Sequence, residues 1–262
     1  MVASARKAGD AAPRAGAAGG CAAAIAGEAA ACRHGAAVAP QPTASAHSAA
    51  VSGDELLLRL MLADASFLTT KEKLTLHAAV KSAETFSALS LADISRYVQR
   101  AFKRVRWNGT AALTAAHKSL HILRALGIQS TFFDRADFPA LLREMADPPY
   151  ALFWRGSLAA LSAPCVSVVG TRRVTPGAKQ AAVAFGREAA AAGYTVVSGL
   201  AYGVDVAAHT GALQAAAPAA HGTTAAVLAS GIDTITPASH ARVARRILET
   251  GGCILSEYTP GT

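Results

Sequence analysis

Apolar residues along the chain fall into two textures. From Asp54 onward, Leu56, Leu57, Leu60 and Met61 recur at helical spacing, with Ser52 or Asp54 placed to cap the first turn. A second helix is expected over residues 70–81, with Lys71 and Lys73 outward and Leu74, Leu76 and Val80 inward. A third is expected over 92–107 behind Ser90 or Asp93, and a fourth over 111–126, ended by Gly127 in the manner of a left-handed cap. Residues 53–126 thus form a small all-helical domain.

After Gly127 the period changes. Residues 128–133 read as a short strand, Asp137-Phe138-Pro139 opens a short helix over 138–145, and Asp147-Pro148-Pro149 breaks the chain before the apolar run Leu152-Phe153-Trp154. Strands at 166–170, Thr195–Ser198, 224–229 and Cys253–Ser256 then alternate with helices at 176–192, 204–216 and 240–250. Thr175 and Pro176 mark the start of the first of these helices. Apolar strands separated by helices imply a parallel sheet covered on both faces, an α/β class of Rossmann-like architecture over 127–262. Residues 1–52 have no apolar period; 22 of the first 50 are alanine, too little apolar bulk to offset chain entropy, so disorder is expected there.

Composition narrows the function. Lys+Arg 25 against Asp+Glu 17 gives a net charge of +8, spread without a dominant basic block. That argues against a purely electrostatic DNA coat and leaves room for a phosphate or nucleic-acid partner. The cysteines Cys21, Cys32, Cys165 and Cys253 are too scattered for a zinc site or a disulfide framework, so no metal and no cofactor is expected. No run of 18 strongly apolar residues predicts a membrane span, and the alanine-glycine stretch 15–32 makes a poor signal peptide; a cytoplasmic protein is expected.

In parallel α/β sheets ligands bind beyond the carboxyl ends of the strands, so the strand-to-helix turns carry the chemistry. The first turn, Val169-Gly170-Thr171-Arg172-Arg173, lacks the dinucleotide fingerprint. It offers a glycine for close backbone approach and a guanidinium fork suited to phosphate oxygens. The second, Ser198-Gly199-Leu200-Ala201-Tyr202-Gly203-Val204-Asp205, places two glycines before a helix N-terminus, where several N–H groups are expected to face an anion. Asp205 and His209 are four apart on one helix face, and either cap and pack or serve the site. Asp233 and Glu257 close the third and fourth strands; with Gly203, Asp205 and His209 they read as loop-orienting residues rather than a catalytic carboxylate set. No nucleophile–base pair converges on the turns, so no catalytic residue is expected. Arg100, Lys103, Arg104 and Arg106 are read either as a solvated helix face or as a phosphate patch.

Four ordered segments then resemble the DNA-processing protein A family (DprA, also called Smf). They are Val169-Gly170-Thr171-Arg172, the run from Ser198 to Asp205 with Ala208-His209, the run from Ala226 to Asp233, and Leu255-Ser256-Glu257-Tyr258. The lead-in residues Gly127-Ile128, Asp137 to Leu141 and Asp147-Pro148-Pro149 agree. The resemblance implies a non-enzymatic protein that binds single-stranded DNA and passes it to a RecA-type recombinase in natural transformation; homodimerisation is left open. Carried onto this chain it implies phosphate contacts at Gly170, Thr171, Arg172, Ser198, Gly199 and Ala201, with Lys179 as an outer member. Two departures stand out: Thr236-Pro237 replaces the family's Tyr-Pro, and residues 215–222 carry an extra alanine-proline segment. The family's basic Arg-Asn-Arg segment falls beyond Thr262, so an incomplete sheet with an uncovered edge at Cys253–Ser256, and self-association through it, is expected. The alternatives are a Rossmann-like enzyme cleaving nucleoside monophosphates, whose PGGxGTxxE-type motif is missing, and an inactive truncated remnant.

Overall fold

The computed structural model describes residues 52–215 and 224–262. Expectations for the first 51 residues and for 216–222 lie outside them.

Five helices come first: α1 (Gly53–Asp64), α2 (Thr70–Ala79), α3 (Ala83–Ala88), α4 (Leu91–Val98) and α5 (Gly109–Leu126). Local chemistry fixes their starts. Ser52 accepts the Glu55 N–H, Thr69 with Glu72 and Ser90 with Asp93 form capping boxes, and Asn108 accepts the Ala111 N–H. Gly127 closes α5 at φ 60°.

Two expectations fail here. The third expected helix stops at Val98, because Gln99 turns left-handed and Arg100 leaves the helix to hold Glu72 and the Phe67 carbonyl. Phe102 and Trp107 then fold back edge-on against Phe67, at 5.1 and 5.9 Å. The four bases at 100–106 therefore share no helix face. Arg100 and the cap N–H bonds hold the Glu72 carboxyl near 2. Lys73, expected outward, is buried: its Nζ donates to Ala63 O of the α1 terminus at 3.0 Å and lies 5.5 Å from the Tyr150 ring centre. Helix α3, unpredicted, supplies Phe86, which is fully buried with its ring 5.1 Å from that of Trp107. Phe86→Ala should destabilise the protein by about 3–5 kcal/mol, read as a lower urea midpoint at unchanged m-value.

The sheet follows, with β1 (Gln129–Phe132), the one-turn α6 (Ala140–Arg143), β2 (Ala151–Gly156), β3 (Cys165–Ser167), α7 (Pro176–Ala191), β4 (Thr195–Ser198), α8 (Val204–Ala212), β5 (Thr224–Leu228), α9 (Ala241–Glu249) and β6 (Cys253–Ser256). The strand order is β1-β2-β6-β5-β4-β3. Strands β3 to β6 run parallel, giving the Rossmann-like part, while β1 and β2 add antiparallel.

This order corrects two expectations. β6 is an interior strand, since β2 pairs with it on one side and β5 on the other; the parallel end of the sheet finishes instead on β3. Nor are both faces covered by helices. Because β3, β4, β5 and β6 succeed one another without reversal, crossovers of one hand lay every connecting helix on the same face. Ala189 and Ala190 of α7, Ala208 and Ala212 of α8 pack with Val196, and Ala244 and Ile247 of α9 share a core with Ala226, Leu228 and Ile254. The helical layer joins that same core through Leu57, Leu60 and Leu123, so the apolar interior is continuous across residue 126. On the opposite face Ala160 of the 3-10 turn Leu158–Ser162 packs on Trp154, Ala225, Cys253 and Leu255. Val227 on that face is 40% exposed.

Candidate functional site

The turns after β3 and β4 meet backbone to backbone. Val204 N–H donates to Thr171 O at 3.3 Å, and Ser198 Oγ–H donates to Val168 O at 2.6 Å. A side chain at Gly170 would strike Val204 Cγ2 at 2.6 Å. Gly203, at φ 85°, lies so close to the first turn that a Cβ would sit 2.9 Å from Arg172 Cα and nearer still to the Thr171 carbonyl oxygen. These glycines are what allow the two loops to touch. On the ridge they form, Thr171, Arg172 and Arg173 are exposed, and neither guanidinium is held by a carboxylate among the described residues. Thr171 Oγ1 accepts the Arg173 N–H at 3.2 Å, which tightens the turn.

The second turn differs from its expectation. Ser198 is buried with its hydroxyl committed to Val168, and the Gly199 N–H donates to Asp205 Oδ2 at 3.2 Å. At the start of α8 the Val204 N–H goes to Thr171 O and the Val206 N–H to Ala201 O. Three donors of the expected cradle, the N–H groups of Gly199, Val204 and Val206, are thus taken by the protein itself. Ser198, Gly199 and Gly203 shape the loop, Ala201 is half-buried within it, and the exposed side chains beside it that suit an anion are those of Arg172 and Arg173, the Thr171 hydroxyl being turned to the Arg173 backbone. Lys179 stands apart, bordering a shallow depression of about 230 Å³ with Val183 and Arg187 along α7.

Asp205 and His209 lie on the buried face of α8. Thr224 Oγ1–H donates to Val196 O at 2.6 Å, so it accepts from His209 Nδ1–H at 2.7 Å, which assigns the imidazole tautomer. Among the described residues His209 Nε2 has no hydrogen-bond partner. Burial pushes this imidazole from 6.5 down to about 4, against the opposing pull of Asp205. Its folded pKa is depressed, so the unfolded chain takes up the proton first. Stability is complete above pH 6.5 and falls as the pH drops toward 4, by on the order of 3 kcal/mol in all. Urea midpoints between pH 7 and 4 should show that decline, and His209→Gln should flatten it.

Asp233 accepts the Gly261 N–H at 2.8 Å and so ties the third turn to the chain after β6. Glu257 lies elsewhere, on a cavity of about 520 Å³ between the helical layer and the sheet, together with Lys73, Arg100, Asp147 and Tyr150. It does not join the Arg172 ridge. Sequence reasoning passed over Tyr202, Ser239 and His240: Tyr202 is 51% exposed, its Oη 3.2 Å from Ser239 Oγ, its ring 4.9 Å from that of His240. His240 Nδ1–H in turn donates to Leu200 O at 2.8 Å, bracing the second turn at its left-handed residue, φ 57°. A lone tyrosine between two glycines was the available signal.

Among the described residues no helix is long and apolar enough to cross a membrane. Residues 129–262 match the model of the family described as DNA recombination-mediator protein A. Protein Smf of Escherichia coli is 39% identical over 125 residues, which cover 48% of this chain and 32% of that protein. Protein Smf of Borreliella burgdorferi is 26% identical over 201 residues, covering 77% of this chain and 62% of the other. The X-ray structure of DNA processing protein A from Streptococcus pneumoniae superposes with a TM-score of 0.52 at 28% identity, over 77% of this chain and 66% of that one. With half its length inside the family model, the chain belongs to the DNA recombination-mediator protein A family.

Proposed function

We propose that this protein binds single-stranded DNA by its phosphates along the carboxyl edge of the parallel strands and delivers it to a RecA-type recombinase during natural transformation, in the cytoplasm and without catalysis. The observation that carries the binding half is the ridge at Gly170–Gly203, where two backbones touch and present the unpaired guanidiniums of Arg172 and Arg173 beside the Thr171 hydroxyl. Planar guanidinium donors engage two phosphate oxygens at once and read no base, so binding is independent of sequence. The delivery half rests on family membership. Gly170, Thr171 and Arg172 are the contact residues; Ser198, Gly199, Gly203, Asp205 and His209 position them.

With two or three phosphates neutralised, log K for oligo-dT against log salt should have a slope of about −1.5 to −2. Filter binding at several salt concentrations measures it, with free nucleotides as competitors. A slope near zero, or tighter binding of a mononucleotide than of the oligomer, would favour the nucleotide-enzyme alternative.

A further inference from the structure

Three of the large apolar side chains that stand exposed are at the carboxyl edge of the sheet: Val169 at 75%, Tyr202 at 51% and Tyr258 at 54%. Of these, Tyr202 is the one fastened at both ends of its ring system, by its hydroxyl at Ser239 and by the roughly perpendicular imidazole of His240. A perpendicular neighbour at 4.9 Å leaves at least one face of the phenol ring uncovered, consistent with its exposure. Its chain neighbour Gly203 is the residue pressed against the Arg172 backbone, so Tyr202 springs from the chain one residue away from the contact between the two turns. Arg242, on the first turn of α9 two residues past His240, is exposed.

We infer that Tyr202 is a stacking platform for an unpaired nucleobase whose phosphate sits at Arg172, an inference that rests on the phosphate-binding reading above. A fixed aromatic face next to a phosphate clamp is what a single strand needs and a duplex cannot use, because paired bases are already stacked. Every base has a π-face, so such a platform selects single strands while remaining indifferent to sequence. The brace from Ser239 and His240 lowers the ordering cost, since the ring is held before the base arrives.

The test compares two oligomers of equal length by fluorescence anisotropy: oligo-dT, and a backbone of abasic deoxyribose phosphates that keeps every phosphate and lacks every base. Tyr202→Ala should weaken oligo-dT binding at least about fivefold and leave abasic binding unchanged, while Tyr202→Phe, which keeps the ring and loses the Ser239 brace, should leave abasic binding unchanged and weaken oligo-dT binding less than Tyr202→Ala does. Tyr97→Ala, a control tyrosine 44% exposed on α4, should alter neither. Equal weakening of both oligomers, or of neither, by Tyr202→Ala would overturn the platform. Failure of the wild-type protein to bind either oligomer would instead overturn the phosphate-binding reading, and the platform with it.

Discussion

Replacing Arg172 by alanine is expected to weaken oligo-dT binding by about 10- to 150-fold, the loss of one charge-assisted contact of about 1.5–3 kcal/mol, while the thermal melt stays where it was. The melt is unaffected because Arg172 is exposed at the end of a strand and no carboxylate among the described residues depends on it. Arg172→Lys should recover only part of the affinity, since an ammonium is a point charge and cannot reproduce the two-pronged donor. Anisotropy titrations of the three proteins decide the matter. Full recovery by lysine would mean that charge alone suffices and that the fork is not used.

Gly203→Ala should do more damage, and of a different kind. The residue needs φ 85°, and its new methyl would be driven into the backbone of Thr171 and Arg172, 2.9 Å from the Arg172 Cα. Strain of this type costs about 1–3 kcal/mol, and relief requires the two turns to part. Stability and oligo-dT affinity should therefore fall together, affinity at least as far as in Arg172→Ala. Gly177→Ala is the matched control: it lies in the first turn of α7 with nothing within 4 Å of its added methyl, so it should be neutral or slightly stabilising. Loss of binding in Gly203→Ala with an unchanged melt would show that the turns accommodate the methyl and that their contact is not what builds the ridge.

The contrast between these variants reflects what could be read from residues alone. Thr175, Pro176 and the glycines placed α7 and the turns correctly, because caps and positive φ are local properties. Strands Thr195–Ser198 and Cys253–Ser256 were legible for the same reason, each being a short apolar run between breakers. Strand order was not legible. Nothing in the pattern of Cys253–Ser256 distinguishes an edge strand from an interior one, and only the antiparallel pairing of β2 with β6 places it inside. A second global fact, the succession of β3 to β6 without reversal, decides that the connecting helices share one face. At the site, the arginines and glycines announced themselves, but the occupancy of the donors did not. Gly199 and Val204 look like open N–H groups until Asp205 and Thr171 are seen to accept from them. Lys73 misled in the same way, since its burial depends on a carbonyl at the end of another helix.

In the proposed function this edge of the sheet recognises the charge of the DNA backbone through Arg172. That recognition is tested most directly by titrating the wild-type protein with oligo-dT and with the same oligomer carrying uncharged methylphosphonate linkages, at one low salt concentration. Binding should fall by at least the factor seen for Arg172→Ala when the charges are removed, and Arg172→Ala should then make no further difference. Equal affinity for the charged and the uncharged strand would contradict recognition of the backbone charge.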